Sequence, residues 1–490
     1  MNIPIIVAAY NRPDCLSRLL KSLENAEYNT RVKLIISIDG GGTQDVLDIA
    51  AGFEWRHGEK EIIRHPENIG LRKHILFCGS QSLKYDGVVL LEDDLYVSPC
   101  YYSYLQKAAE FYADDDRISG IALYSPGYNE TAMLPFTPLD DGRDVFFMQL
   151  ACSWGQCWLK EHWADFMDWY AENDSLDLSQ DAYLPPNILL WPDTSWKKYY
   201  IKYMMQKDKY FVYPRSGYST NFGDAGQHHK GSNVFQIPLR MDSADYKMSE
   251  FDNSAVKYDA FCEMNPETLK MMRPELAGYD FETDLYGYKN IKSVSAEYLL
   301  TVKESSNPEM TFGMRMKPHE ANIITGVKGE EICLSKTTAL TNIENFIQCR
   351  LNRISDWKNV HMYYYPMTET HYLAFNCDIE RLDARVAKMN KYYDENQKIL
   401  NGTREKLTQA YKYIEELNSV KQSHEKIIGE LDGNIRDFEN KLHEAYKYQE
   451  VLLAHIAAIQ NSLSFRIGSA IIYPFSVVKR LINKSRVKKR

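Results

Sequence analysis

Residues 88–99 read VVLLEDDLYVSP, in which a short apolar run is followed by three consecutive acidic residues. A continuous apolar run of this length predicts a strand that is buried on both faces, which we place at residues 87–91. Glu92, Asp93 and Asp94 would then stand at the carboxyl end of that strand. The triplet alone leaves two readings open, a metal-binding site or a solvated turn at the start of a helix.

The sequence around this run alternates between strand and helix patterns. Apolar runs rich in β-branched residues predict strands at 3–9, 33–38 and 61–64, and helical spacing of apolar residues predicts helices at 14–23, 71–83 and 101–112. Such alternation is typical of an α/β, Rossmann-like domain with a mostly parallel sheet and helices on both faces.

Polar residues follow each of the predicted strands. Asn11 and Arg12 come after the first, Asp39 after the second and Asn68 after the third. Ligands of such sheets bind beyond the carboxyl ends of the strands. We therefore expect these side chains and the acidic triplet to share one site.

Composition bounds the class of protein. The chain has 490 residues, 44% of them hydrophobic, and a net charge of −9. An acidic body excludes a protein that wraps nucleic acid, because phosphate neutralisation needs a basic surface. Nine cysteines without a repeated spacing indicate reduced thiols and no structural zinc.

The two ends of the chain predict a cytoplasmic protein held at a membrane surface. The first residues enter a strand without a signal-peptide pattern, and no apolar run is long enough to span a bilayer. Residues 464–490 carry eight Lys or Arg, no acid, and several large apolar residues. This pattern predicts an amphipathic tail on an anionic membrane, peripheral at the inner face of the plasma membrane.

Two further segments complete the predicted organisation. Residues 246–378 contain short strand-like and helical pieces and are interpreted as a small accessory α/β domain. Residues 379–463 keep apolar residues at most a and d positions of an unbroken heptad register that starts with Leu382 as d. We expect a C-terminal coiled coil there, and a homo-oligomer formed through it.

Residues 1–240 resemble the GT-A glycosyltransferases, in particular the family-2 enzymes. Around the acidic cluster they are similar to the N-acetylglucosaminyltransferase I group, and EDDL after an apolar strand is the most specific element. The resemblance implies a GT-A nucleotide-sugar-binding domain at residues 1–245. It also implies that Asp94 binds Mn2+ or Mg2+, that Asp93 contacts the donor ribose, and that Glu92 supports them.

The same resemblance implies further donor-binding residues. AAYNRP (8–13) looks like the family's opening motif, so that Asn11 and Arg12 approach the nucleotide and Arg12 faces the diphosphate. Asp39 would hydrogen-bond the base or ribose. HPENIGLRKHI (65–75) resembles a segment that closes over the nucleotide through Asn68 and Arg72. A capped helix start at 11–14, and a turn followed by a helix at 65–75, remain alternatives without a functional role.

Sugar-contacting and catalytic residues are also implied. Trp154 and Trp158, in SWGQCW (153–158), would lie under the donor sugar and acceptor, although either could belong to the core. Asp193, in WPDTSW (191–196), resembles the catalytic base of the N-acetylglucosaminyltransferase I group. Its rivals for that role are the two other acids Asp181 and Asp224.

Two additional features concern the second half of this domain. In NFGDAGQHHKGS (221–232), His228 or His229 could complete the metal shell, with an ordinary surface histidine as the alternative. Residues 113–238 are rich in Trp, Tyr, Asp and Gly, which favours an acceptor-binding half built largely of loops.

These features together favour an inverting, metal-dependent transferase. It would move a sugar from a nucleoside-diphosphate sugar, a UDP-sugar in particular, to a glycan, and a lipid-linked glycan of bacterial surface polysaccharide would explain the membrane tail. A sugar nucleotidyltransferase, which uses a similar sheet and similar acids, is one alternative. A non-catalytic GT-A scaffold that acts through its coiled coil is the other.

Overall fold

The computed structural model describes residues 1–132, 134–224, 235–341, 386–409 and 425–461. His228, His229 and the tail at 464–490 lie outside the described residues, as do 342–385. The chain divides into two compact units, residues 1–350 and residues 351–490, which are described separately.

The first unit is a mixed α/β structure around a nine-stranded sheet. The strand order across this sheet is β13-β9-β11-β6-β10-β4-β1-β2-β3. Counting also the short strands that pair outside it, the strands up to residue 258 are β1 (Ile5–Ala9), β2 (Leu34–Ile38), β3 (Lys60–Arg64), β4 (Gly87–Glu92), β5 (Leu95–Val97), β6 (Ile118–Ala122), β7 (Tyr128–Asn129), β8 (Leu134–Pro135), β9 (Val145–Met148), β10 (Gln156–Leu159), β11 (Tyr210–Pro214), β12 (Ser219–Asn221) and β13 (Lys257–Tyr258).

Helices connect these strands. They are α1 (Pro13–Glu24), α2 (Gln44–Gly52), α3 (Leu71–Ser80), α4 (Tyr101–Phe111), α5 (Lys160–Asn173), α6 (Pro186–Leu189) and α7 (Trp196–Lys207).

The first half of the sheet is parallel, as predicted. β1 pairs in parallel with both β2 and β4, and β2 pairs in parallel with β3. β1, β2 and nearly all of β4 are buried on both faces, which explains their unbroken apolar sequences. The carboxyl ends of four adjacent strands therefore meet at one edge of the sheet.

The second half of the sheet is mixed, and it corrects one prediction. β10 runs antiparallel to both β4 and β6, and β9 runs antiparallel to β11. Residues 113–238, predicted to be largely loops, supply four strands of the main sheet and the helices α5 and α7. Their strands are four or five residues long, and their sheet partners lie far away in the chain, which no local pattern records.

Helices cover both faces of this sheet. Alternate strand residues such as Val7, Ile36 and Leu91 belong to one apolar core together with residues of α1, α2 and α4. On the opposite face α3, α5 and α7 pack against one another and against the sheet. Trp158 of β10 lies in that second layer, in ring contact with Trp163 of α5.

Residues beyond 245 contribute to the main sheet and to a second one. β13 pairs with β9 of the main sheet, while β14 (Phe281–Asp284), β15 (Tyr298–Thr301), β17 (Met310–Phe312) and β18 (Ile332–Lys336) form a four-stranded sheet in the order β14-β15-β18-β17. Its other elements are α8 (Pro266–Met272), α9 (His319–Thr325) and the pair β16 (Glu304–Ser305) and β19 (Leu340–Thr341). Residues 1–350 form one compact unit, so residues 246–350 are not separated from the preceding ones. A distinct accessory domain at 246–378 remains a prediction.

Two stretches of the second unit are described, and both are helical. They span residues 386–409 and Glu425–Asn461, within the segment predicted as a coiled coil. Oligomerisation through these helices remains a prediction. Across the described ranges, no helix combines the length and apolar character needed to traverse a bilayer.

Burial of one histidine, His162, makes the stability of the first unit depend on pH. His162 of α5 is 5% exposed, and burial lowers its pKa to about 4, below the ordinary value of 6.5. The unfolded chain therefore binds more protons, so that this contribution to stability is complete above pH 6.5 and is lost as the pH falls towards 4.

His162→Phe removes that titration while keeping a ring in the same space. We expect the drop in unfolding free energy between pH 7.5 and pH 5 to shrink by about 2 kcal/mol, because one pKa unit corresponds to about 1.4 kcal/mol. Urea unfolding of both proteins at the two pH values measures this drop. An identical drop in wild type and variant would contradict the assignment.

Candidate active site

The acidic triplet forms a tight turn between two strands. Glu92 is the last residue of β4, and Asp93 and Asp94 turn the chain into β5. Asp93 is 3% exposed and Asp94 is 9% exposed. Carboxylates buried to this extent need charged or hydrogen-bonding partners, so a freely solvated turn does not describe them.

Arg12 supplies the partner for both aspartates. It directly precedes α1, and β1, the strand before it, is the parallel neighbour of β4. Its Nη1 donates to Asp94 Oδ2 at 2.9 Å, and its Nη2 donates to Asp93 Oδ1. Burial alone would lower the pKa of Arg12, but the attraction of the two carboxylates outweighs it and raises the pKa.

Burial raises the pKa of two of the three acids. Loss of hydration, reinforced by the negative charge of Asp94, raises the pKa of Glu92 to about 8. Burial raises the pKa of Asp93 to about 6, although Arg12 opposes the shift. Proton uptake is therefore easier at Glu92 than at Asp93.

Asp39 holds two loops together at the ends of β2 and β3. Its carboxylate accepts hydrogen bonds from the backbone N–H groups of Gly40 at 2.8 Å, Ile69 at 2.9 Å and Gly70 at 3.1 Å. A Cβ at Gly40 would collide with the backbone of Glu67, which explains the glycine there. The side chain predicted to bind the donor base or ribose is already occupied by the protein's own backbone.

Asn68 and Arg72 lie beside this junction in different environments. Asn68 is exposed at the tip of the loop. The Arg72 guanidinium lies over the Tyr199 ring, 4.3 Å from its centroid, and its Nη1 is 3.4 Å from the Tyr170 hydroxyl. Arg72 therefore fastens α3 to α5 and α7, which accounts for an arginine there without a ligand.

Asp224 reaches the acidic turn from another part of the chain. β12 pairs antiparallel with β5, and the N–H of Phe222 donates to the carbonyl oxygen of Asp94 at 3.3 Å. Two residues later, Asp224 forms an ion pair with Arg18 of α1. Burial would raise the pKa of Asp224, but the hydrogen bond and charge of Arg18 lower it.

The other two candidate bases have different surroundings. Asp181 is paired with Lys202, with 2.6 Å between Oδ2 and Nζ, and its side chain is 13% exposed. Asp193 is exposed, in the turn that leads into α7. Within the described ranges it has no ion pair, so its carboxylate is accessible to a substrate.

The structure separates the two tryptophans of SWGQCW. Trp158 is fully buried among Trp163, Trp196 and Tyr200, so its predicted contact with a sugar is wrong. Trp154 instead lines a partly open pocket.

We call this cavity the aromatic pocket and define it by six of its lining residues. They are Tyr124, Trp154, Trp191, Lys197, Tyr213 and Phe235. The Lys197 ammonium lies 5.3 Å from the ring centroid of Trp154 and 5.0 Å from that of Trp191. β10 begins with Gln156 opposite Leu90 of the antiparallel strand β4, so Trp154, two residues earlier, lies near Glu92 at the same end of the sheet.

The residues present fit a divalent cation in part. Carboxylate oxygens are the ligands that Mg2+ and Mn2+ prefer, and Asp93 and Asp94 offer them from a rigid turn. Among the described residues no cluster of three His, Cys, Asp or Glu side chains is arranged around one point. A cation would therefore take one or two protein carboxylates and complete its shell with ligand oxygens or water, as Mg2+ commonly does.

Two cations of this site were missed by sequence reasoning. Arg18 carries no motif, and its place beside Asp224 depends on a contact between residues 206 positions apart. Lys197 follows WPDTSW directly, so its position beside the predicted base was a usable signal. Seven cysteines fall in the described part of the chain, and all are free and buried, in agreement with reduced thiols.

Asp39→Asn tests whether this side chain is structural. An amide replaces one acceptor oxygen with a donor that faces backbone N–H groups, so we expect a loss of about 1–3 kcal/mol in unfolding free energy. Asp45→Asn, at an exposed site in the first turn of α2, is the matched control. Equal stability of the two variants, measured by urea unfolding, would contradict the structural role.

Comparison with known proteins assigns the domain. Residues 5–159 match the family model "Glycosyl transferase family 2".

Similar solved structures include TarS, a mannosyltransferase and a xyloside xylosyltransferase. TarS (1–349) from S. aureus is 16% identical, with 45% of this chain and 60% of that chain covered and a TM-score of 0.29. The mannosyltransferase PcManGT from Pyrobaculum calidifontis, in complex with GDP-Man and Mn2+, is 11% identical, with 33% and 45% covered and a TM-score of 0.24. Mouse xyloside xylosyltransferase 1 is 10% identical, with 43% and 84% covered and a TM-score of 0.29.

The family assignment rests on the family model and not on these low structural scores. The chain spans 60% of the length of the TarS structure. The matched segment runs from the first residue of β1 to the last residue of β10, and it includes Arg12, Asp39 and the acidic turn. The likeness to glycosyl transferase family 2 is therefore shown for residues 5–159, which hold the acidic turn, and not for the rest of the chain.

Proposed function

We propose that this protein is a metal-dependent, inverting glycosyltransferase that moves a sugar from a nucleoside-diphosphate sugar, in particular a UDP-sugar, to a glycan. The observation that carries the proposal is the buried turn of Asp93 and Asp94, paired with Arg12, inside a glycosyl transferase family 2 domain. The turn stands at the carboxyl edge of parallel strands, where such sheets bind their ligands.

The acidic turn suits a divalent cation. Asp94 would hold Mn2+ or Mg2+, with Asp93 as a second ligand or as the partner of the donor ribose. A bound cation would absorb the negative charge that develops on the leaving diphosphate. Glu92, the last residue of β4, would support the turn.

The chain's own residues would position the donor around that turn. Arg12 provides a cation at the start of α1, where backbone N–H groups also favour a phosphate. Asp39 fixes the loop that carries Asn68, so Asn68 would meet the nucleotide from an exposed tip. In this arrangement Asp39 acts as a positioning residue, and Asn11, at the end of β1, stays a donor-binding candidate.

The aromatic pocket is the proposed sugar site. Aromatic rings pack against the apolar faces of sugars, and Trp154 and Trp191 offer two such rings beside Glu92. Lys197, between those rings, can donate hydrogen bonds to sugar hydroxyls. Trp154 therefore stays a candidate for sugar contact.

Asp193 is the preferred catalytic base. Inversion needs a carboxylate that takes the proton of the acceptor hydroxyl on the side opposite the leaving diphosphate. Asp181 and Asp224 are engaged by Lys202 and Arg18, whereas Asp193 is exposed and lies four residues before Lys197 of the aromatic pocket.

Two other functions compete with this proposal. A sugar nucleotidyltransferase would release inorganic diphosphate from a nucleoside triphosphate, whereas a glycosyltransferase releases a nucleoside diphosphate. A non-catalytic scaffold would release neither. The family 2 domain and the paired Asp93 and Asp94 favour the glycosyltransferase.

The acceptor and location are proposed from the C-terminal sequence. The basic, apolar residues 464–490 would hold the enzyme on an anionic membrane at its cytoplasmic face, where a lipid-linked glycan of surface-polysaccharide synthesis would be within reach. The heptad pattern at 379–463 would join copies of the chain through a coiled coil.

Nucleoside diphosphate release tests the activity. We expect wild type with Mn2+ to release nucleoside diphosphate from at least one member of a panel of nucleotide sugars, and Asp94→Asn to lower the rate at least a hundredfold, about 2.7 kcal/mol. Asp116→Asn, at an exposed acid after α4, is the matched control and should match wild type. Equal rates for Asp94→Asn and wild type would contradict the metal assignment.

Three substitutions test the base. Asp193→Asn should lower the transfer rate about a hundredfold or more without changing UDP affinity, since the base acts on the acceptor. Asp181→Asn should act mainly through stability, and Asp224→Asn through the contact with Arg18. A normal transfer rate for Asp193→Asn, measured with a working acceptor, would exclude Asp193.

Truncation tests the membrane tail. Removing residues 464–490 should abolish sedimentation with phosphatidylserine-containing vesicles, because the eight basic residues of the tail are lost. Vesicles of neutral lipid are the control and should bind the full chain weakly. Undiminished sedimentation of the shortened chain would overturn the tether.

A further inference from the structure

Arg12 occupies the carboxylates that a divalent cation would need. One guanidinium reaches both members of the turn, Asp94 through Nη1 at 2.9 Å and Asp93 through Nη2. The Asp94 side chain is 12% exposed and the Arg12 side chain 23%, so water screens this pair little. Without ligands, the acidic turn is thus already neutralised in part by the protein's own cation.

A metal ion and this guanidinium compete for the negative charge of Asp94. They carry charge of the same sign, and a carboxylate between them in a poorly hydrated site would hold them at a distance where they repel each other. Binding of the cation would therefore weaken the Nη1 contact of Arg12 with Asp94. Separating that charge-assisted hydrogen bond weakens the affinity of the free enzyme for metal.

A diphosphate changes this balance. A guanidinium that leaves Asp94 needs another anion, and phosphate oxygens match its two-pronged geometry as well as a carboxylate does. Arg12 directly precedes α1, so a released side chain remains at a helix N-terminus that favours phosphate.

We propose that Arg12 couples the two ligands of the donor site: it restrains Asp94 until a diphosphate takes over its guanidinium, so that cation and diphosphate bind with strong mutual dependence. This inference rests on the proposed function and adds a regulatory step to the same site. By linkage, the factor by which diphosphate improves metal affinity equals the factor by which metal improves diphosphate affinity.

Mn2+ binding to the full chain without nucleotide tests the restraint. Electron paramagnetic resonance of free Mn2+ should show affinity about tenfold higher for Arg12→Gln than for wild type. Arg117→Gln is the matched control, because Arg117 forms an ion pair with Asp208 that lies outside the acidic turn. It should bind Mn2+ as wild type does, and Asp94→Asn should lose the site.

UDP binding tests the coupling. Calorimetric titration with UDP, with no metal and with saturating Mg2+, gives the factor by which the cation improves UDP affinity. We expect this factor to fall about tenfold in Arg12→Gln, within the usual range of coupling between sites. Circular dichroism checks that Arg12→Gln is folded. If it is not, Arg12→Lys replaces it, because lysine keeps the charge but cannot form two parallel hydrogen bonds. Arg12→Lys should also raise Mn2+ affinity and lower the factor by which Mg2+ improves UDP affinity.

The outcomes separate this inference from the proposed function. The coupling is overturned if Arg12→Gln binds Mn2+ no more tightly than wild type does. It is also overturned if the factor by which Mg2+ improves UDP affinity is unchanged. Sugar transfer can still be observed in either case. Absence of Mn2+ binding by every variant also overturns it. Absence of nucleoside diphosphate release by wild type overturns the proposed function instead.

Discussion

The ion pairs between Arg12 and the turn of Asp93 and Asp94 are the interaction on which the site depends. They join the ends of β1 and β4, which lie side by side because the sheet is parallel there. Two carboxylates this deeply buried would repel each other without a cation between them. The guanidinium therefore lets the apolar strand β4 end in an acidic turn inside the protein.

The remaining loops of the site are fixed by similar local constraints. Asp39 ties the end of β2 to the loop after β3 through three backbone hydrogen bonds. Phe222 bonds the backbone of Asp94 and thereby brings Asp224 to Arg18 of α1. The edge of the sheet is a preorganised frame, and the exposed Asn68 and the aromatic pocket are the parts left accessible to ligands.

The sequence predicts the parallel half of the fold well because β1, β2 and β4 are mostly apolar, buried runs. β1, β2, β3 and β4 are confirmed, and so is the position of Glu92 to Asp94 at a strand end. The strands of the second half escaped prediction because their neighbours are distant in the chain, as β10 between β4 and β6 illustrates. The same holds for Trp158, whose burial depends on α5 and α7 and not on its motif.

The sequence predicted the location of the site more reliably than the role of each side chain in it. Donor binding by Asp39 and Arg72 stays a prediction. The structure adds contacts of Asp39 with backbone N–H groups and of Arg72 with tyrosines, which form across elements that no local pattern records. The most direct measurement is a crystal structure of the enzyme with UDP and Mn2+, with the metal located by its anomalous signal. We expect a manganese peak within bonding distance of Asp94 and the Arg12 guanidinium turned towards the diphosphate. A manganese peak away from the acidic turn, or UDP bound elsewhere, would contradict the assignment of this site.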